Sequence, residues 1–125
     1  MRRRRRGRQG QQAQDLTGNL SRLIEPVLLY LLATDRAHYG YQFLEHADQF
    51  AITGANIDAG AVYRRLRNLE EQGLVVSNWE PGESGPAKRV YELTPAGLQQ
   101  LQNWAQVLRE RGASMIDFAD RCANL

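Results

Sequence analysis

The stretch Asp58-Ala59-Gly60-Ala61-Val62-Tyr63-Arg64-Arg65-Leu66-Arg67-Asn68-Leu69-Glu70-Glu71-Gln72-Gly73-Leu74 decides how the chain is read. Asp58 is a good N-cap, because its carboxylate can accept from an N–H that the first helical turn leaves unpaired. Val62, Leu66 and Leu69 recur at i, i+4 and i+7 and must face a core. Gly73 supplies the stop, so the spacing predicts a helix from Ala59 to about Gln72. At roughly 100° per residue, Gly60, Arg64, Arg67 and Asn68 fall on the side opposite those apolar residues. That outer face is small near its start and cationic along its length, the arrangement a helix needs to enter a DNA major groove. Charge on a helix face is also what ordinary solvation produces, so the helix alone does not assign a function.

Downstream, Leu74 to Trp79 and Arg89 to Leu93 read as two strands. The Pro/Gly-rich segment from Glu80 to Ala87 between them makes the pair a hairpin with a long tip. Thr94-Pro95 follows as N-cap and first helical residue of a long final helix directed towards Cys122. Upstream, Leu20, Leu23, Ile24, Val27, Leu28 and Leu31 have helical spacing and predict a first helix from about Leu20 to Thr34. Pro26 lacks a donor, so this helix starts at the proline or kinks there. A second helix is expected over roughly Tyr41 to Phe50, with Tyr41, Leu44, Ala47 and Phe50 on one side. Gly54 and Asn56 lie in the connector to the third helix.

The order is helix, helix, helix, strand, wing, strand, helix: mainly α with a small β-hairpin. It predicts a winged helix-turn-helix over residues 15–93 and an added C-terminal helix over 94–125. Residues 1–14 are expected to be a disordered arm, because they pair like charges with glycine and glutamine and have almost nothing apolar to bury.

Charge supports this division. The 125 residues carry sixteen bases and fourteen acids, a formal net of +2. Six of the bases, Arg2, Arg3, Arg4, Arg5, Arg6 and Arg8, lie in the first fourteen residues, which hold no acid. A basic arm is thus joined to a slightly acidic body. Such an arm lies along phosphates or enters an A·T-rich minor groove, or serves only as a solubility or localisation tail. In the body, Arg64, Arg65, Arg67, Lys88 and Arg89 concentrate on the third helix and the wing's return strand. In a winged domain those two elements meet one duplex.

Several classes of function fail on inventory. The longest apolar run, Val27 to Ala33, is seven residues, against about 20 for a membrane span. The basic start is a poor secretory signal, since Glu25 and Pro26 abut the apolar run and no small-x-small cleavage site follows. A single cysteine, Cys122, excludes an intrachain disulfide and suits a reducing cytosol. Cys122 itself reads as a buried or frayed terminal thiol. His38 and His46 form no metal-ligand set, Gly82-Glu83-Ser84-Gly85 is not a nucleophile elbow, and no phosphate-cradling glycine loop occurs. No enzyme activity, metal or cofactor is expected.

The final helix presents Leu98, Leu101, Ala105, Leu108, Gly112 and Met115 at alternating 3 and 4 spacing. A winged domain this small has no evident core left to cover that stripe. The reading favoured is a homodimer interface built from Leu20, Leu23, Leu98, Leu101, Ala105, Leu108 and Met115; packing back on the first helix of the same subunit is the alternative. Gly112 is a point where the helix bends or breaks. Trp104 fills the dimer core or walls a flat apolar pocket suited to a planar ligand. Trp79 is expected to pack at the base of the wing.

Three segments carry a resemblance to a known family: Tyr39-Gly40-Tyr41, the run from Gly60 to Leu74, and Gly85-Pro-Ala-Lys-Arg-Val-Tyr-Glu-Leu-Thr-Pro-Ala-Gly97. Together they resemble the PadR family of transcriptional regulators over about Ile24 to Leu108. The resemblance implies a homodimeric repressor that binds a pseudo-palindromic operator and leaves it when an effector, such as a phenolic acid or planar drug-like compound, binds. It implies a recognition helix at Ala59 to Gln72 with Tyr63 near its DNA-facing start, a wing at Trp79 to Arg89, and a single dimerisation helix from Thr94. The family's usual His-Gly-Tyr is here Tyr39-Gly40-Tyr41, with His38 one place earlier, and the arginine arm has no counterpart in the family pattern.

The DNA-binding set expected is therefore Gly60, Tyr63, Arg64, Arg67, Asn68, Lys88, Arg89 and the arginines of the arm. A winged domain that binds a protein partner, with the arm as a localisation tag, is the rival reading. An RNA-binding role rests on the arm alone, because no exposed aromatic array for stacking bases is apparent in the folded part.

Overall fold

The computed structural model describes residues 23–47 and 58–125. The predicted arm, Leu20, Phe50 and the Gly54–Asn56 connector lie outside them. The described elements are α1 (Ile24–Ala33), α2 (Gly40–Ala47), α3 (Ala59–Glu71), β1 (Val75–Glu80), β2 (Lys88–Leu93) and α4 (Pro95–Ala123).

Helix α1 is apolar on nearly every side and forms the centre of the core, with Val27, Leu28, Leu29, Leu31 and Leu32 buried. It begins at Ile24 rather than near Leu20 or at Pro26. Pro26 falls in the first turn, where its missing N–H costs no intrahelical bond. Around α1 close Phe43 of α2, Val62, Leu66 and Leu69 of α3, and Val75 and Tyr91 of the hairpin.

The inward side of α2 differs from expectation. Phe43 is fully buried, Leu44 is half-buried, and Tyr41 is exposed. Phe43 meets the ring of Tyr91 edge-on with centroids 6.2 Å apart. Tyr41 instead stacks on Tyr39, with centroids 5.8 Å apart. A phenylalanine carries no polar atom into the core, whereas a tyrosine turned inward needs a partner for its hydroxyl.

Helix α3 forms as its sequence directs. The Asp58 carboxylate accepts from the Ala61 N–H at 2.7 Å, and Gly73 ends the helix with a left-handed φ of 75°. The hairpin pairs antiparallel from Val75 opposite Leu93 to Glu80 opposite Lys88. Its second edge is held by the turn before α2: Tyr39 bridges Val90, and the Tyr91 N–H donates to the His38 carbonyl at 2.8 Å.

Thr94 joins the hairpin to α4 twice over. Its hydroxyl accepts from the Gly97 N–H at 3.0 Å and donates to the Gly73 carbonyl at 2.7 Å. Gly97 is obligatory here, since a β-carbon would collide with the Leu74 carbonyl oxygen. Helix α4 then runs through Gly112 to Ala123 without the interruption expected there. Leu101 and Trp104 are half-buried against the core, and the Trp104 indole N–H donates to the Glu25 carboxylate on α1. The first half of α4 thus packs on the first helix of its own subunit. Past Leu108, Met115, Ile116 and Phe118 are each about two-thirds exposed, and Cys122 is exposed rather than buried. No helix among the described residues is long and apolar enough to cross a membrane.

Candidate nucleic-acid interface

With Val62, Leu66 and Leu69 turned inward, α3 presents Gly60, Tyr63, Arg64, Arg67 and Asn68 on its exposed side. Arg64 lies back over the first turn of the helix, and a β-carbon at Gly60 would come within 3.2 Å of its guanidinium. Tyr63 occupies the boundary between core and solvent and lies across Gly40 at the start of α2.

The wing stands beside this helix face. Between them is a cleft of about 480 Å³, lined by Tyr41, Tyr63, Arg67, Glu70, Trp79, Lys88 and neighbouring residues. The Lys88 ammonium lies 5.5 Å from the ring centre of Tyr41 and 5.8 Å from that of Tyr39. The Tyr39 hydroxyl donates to the Glu80 carboxylate at 2.9 Å. That bond, followed by burial and the carboxylate's charge, holds the Tyr39 phenol above its ordinary pKa. Burial is the main reason the Tyr91 phenol is also raised.

Arg89 is engaged within the protein. Its Nε donates to the Ser77 hydroxyl at 2.8 Å, and its Nη2 lies 3.5 Å from the Glu70 carboxylate. The Ser77 hydroxyl is 2.7 and 2.9 Å from the two Glu70 oxygens. The guanidinium also covers the Trp79 ring at 5.4 Å.

Trp79 corrects its expected place. It is 64% exposed, out along the wing opposite Arg89, and does not pack at the wing's base. Tyr41, at 48%, and Tyr63, at 44%, are exposed around the same cleft. The folded part therefore does carry an exposed aromatic array. Glu70, Ser77, Tyr39 and Tyr41 were absent from the expected site: the hairpin register brings Ser77 and Arg89 to Glu70, and the turn into α2 brings the two tyrosines to Lys88.

A second concavity lies between α1 and α4. It is a nearly purely apolar trough of about 280 Å³ lined by Pro26, Val27, Tyr30, Leu101, Trp104, Ala105 and Leu108. Of the expected dimer residues, Leu23, Leu101 and Leu108 are half-buried, while Leu98, Ala105 and Met115 are exposed. Among the described residues no group of three acidic, histidine or cysteine side chains is arranged to hold a metal.

The profile of the transcriptional regulator PadR-like family matches residues 28–103. A candidate transcriptional regulator from Thermoplasma acidophilum is 29% identical, covering 81% of this chain and 94% of its own, with a TM-score of 0.67. A PadR family transcription regulator from Clostridium difficile is 23% identical over 76% of this chain and 96% of its own, with a TM-score of 0.62. Bacillus subtilis PadR, solved in complex with operator DNA, is 20% identical over 66% of this chain and 47% of its own, with a TM-score of 0.57. The last two similarities concern the fold. No curated protein matches the chain. The profile covers more than half of the chain, from within α1 to within α4, and the chain belongs to the PadR-like family of transcriptional regulators and has that family's winged-helix fold.

Proposed function

We propose that the chain is a duplex DNA-binding regulator that reads sequence with α3 and acts as a homodimeric repressor. The observation that carries this reading is one shared side of the fold. There Arg67 on α3 and Lys88 on the wing line one cleft with Glu70, whose carboxylate is already bonded to Arg89 and Ser77, and Arg64 and Asn68 stand exposed on the same helix. Arginine and asparagine forks suit base edges, and lysine suits phosphate. The arginines of the arm add affinity that is blind to sequence.

The apolar trough at Trp104 and the exposed Met115, Ile116 and Phe118 support a dimer formed through α4. A two-fold dimer demands a pseudo-palindromic operator whose half-sites are one helical turn, or a multiple of it, apart. A planar aromatic effector at Trp104 would act by changing how the two subunits meet.

Selection from a randomised duplex pool tests the proposal. Enrichment of an inverted repeat is the expected result, and no enrichment contradicts it, moving the protein-interaction reading ahead. The exposed Tyr41, Tyr63 and Trp79 favour one further reading, single-stranded nucleic acid stacked on the cleft. Single strands that outcompete the selected duplex would establish it.

A further inference from the structure

Two basic residues open the return strand, Lys88 and Arg89, and the structure gives them different surroundings. Lys88 lies over two tyrosine rings at the edge of the cleft, directly across the hairpin from Glu80. Arg89 is committed on three sides, to the Ser77 hydroxyl, the Glu70 carboxylate and the Trp79 ring. The Glu70 and Arg89 side chains are 32% and 44% exposed, so the pair is partly screened from water.

The three polar partners come from three elements. Glu70 is in the last turn of α3, Ser77 is on β1 and Arg89 is on β2. Ser77 has a single proton, which it donates to Glu70, while its oxygen accepts from Arg89. The chain Arg89–Ser77–Glu70 is therefore directional and closed by the direct Arg89–Glu70 approach. Along this face of the hairpin, Val75 and Tyr91 are buried, and Trp79 lies in the open. The three-residue bridge sits where burial runs out and apolar packing stops fixing the wing's angle.

We infer that Arg89, through Ser77 and Glu70, is a positioning residue that sets the wing's angle against the recognition helix, whereas Lys88 is the wing's phosphate contact. This rests on the proposal that the chain reads duplex DNA. It makes a counterintuitive prediction about Glu70. Removing an acid from a DNA-facing cleft ordinarily strengthens binding. Here the loss of Glu70 breaks the bridge, so discrimination between operator and random duplex falls.

The experiment measures the affinity of the full chain for the selected duplex and for a shuffled one, across salt, for Glu70→Gln, Arg89→Ala, the double variant and Lys88→Ala. Helix content and unfolding temperature confirm that each variant is folded at the assay temperature. Glu70→Gln and Arg89→Ala are each expected to lower the selected-to-shuffled ratio about tenfold with little change in salt slope, and the double variant to be no worse than either, as groups acting through one bridge behave. Lys88→Ala is expected to weaken both duplexes alike and reduce the slope by about 0.9, the loss of one phosphate contact.

Glu70→Gln that tightens binding, or Arg89→Ala that reduces the slope as Lys88→Ala does, overturns the inference and makes Arg89 a phosphate ligand. Variants that lose unfolding temperature but keep the ratio also overturn it, leaving the bridge merely structural. If the parent chain shows no preference for any duplex, the DNA reading itself fails. The bridge is then judged by amide exchange alone: faster exchange in β1 and β2 but not in α3 of Glu70→Gln is expected, and unchanged exchange in the strands rejects it.

Discussion

The ring of Tyr63 lies across Gly40 so closely that a β-carbon at position 40 would overlap its Cε1 and hydroxyl oxygen. The start of α2 and the start of the recognition helix are thus fitted to each other through the absence of one side chain. Gly40 is buried, and Tyr63 closes over it while keeping 44% of its surface in solvent at the cleft.

Gly40→Ala is therefore expected to displace Tyr63 as well as strain the helix pair. The expected cost is about 1–3 kcal/mol, the usual range for overpacking a close contact. A denaturant midpoint checks the stability. Tyr63→Ala combined with Gly40→Ala relieves the collision, so the two changes together cost less than their sum.

Tyr39 and Tyr91 both hold their protons more tightly in the folded chain than a free phenol does. A raised folded pKa contributes stability that is complete below the unfolded value of about 10 and is lost as pH climbs through the folded values. Stability is thus expected to fall as pH rises beyond about 10. Tyr39→Phe removes one of the two contributions, and the gap between parent and variant should narrow steadily over that range. A gap that stays constant, measured by urea unfolding at each pH, contradicts the assignment.

Deleting residues 2–8 is expected to weaken every duplex alike and to flatten the dependence of affinity on salt, since each arginine on a phosphate contributes about 0.9 to the slope. Arg64→Ala should do the opposite, relaxing base preference with little change in slope. Titrations at three salt concentrations separate the two, and an unchanged slope after the deletion removes the arm from the interface.

Met115→Asp puts a charge on the exposed half of α4, far from the core around α1. The monomer fold is expected to survive, with unfolding changed by less than about 0.5 kcal/mol, as for most surface substitutions. Self-association, followed by sedimentation equilibrium, is expected to be lost. A parent chain that is already monomeric at operator-binding concentrations contradicts the dimer.

What could be read ahead of the structure was local. Asp58 and Gly73 bracket α3, and Thr94-Pro95 opens α4, because caps act on backbone groups within a turn of themselves. The face of α3 followed from three apolar residues with no competing set. In α2 the same reasoning chose Tyr41 over Phe43, since eight residues are too few for periodicity to decide between two aromatic faces.

Trp79 shows the other limit. Alternation places it on the same hairpin face as the buried Val75, yet four residues along the strand that face has left the core behind. Glu70, Ser77 and Arg89 are separated by seven and twelve residues in sequence and meet only through the hairpin register. No local pattern marks them. The stripe on α4 was visible, but its division into a half that covers α1 and a half left exposed depends on where the helix crosses the core.

The central claim is that the exposed face of α3 reads a DNA sequence. It is tested most directly by fluorescence anisotropy of a labelled selected duplex against a shuffled duplex of the same composition, at about 150 mM salt, near physiological ionic strength. A preference of about 10³-fold or more, largely lost in Arg64→Ala, is the result this account predicts. Equal binding to both duplexes, fading together as salt rises, would contradict it and leave only the charge of the arm at work.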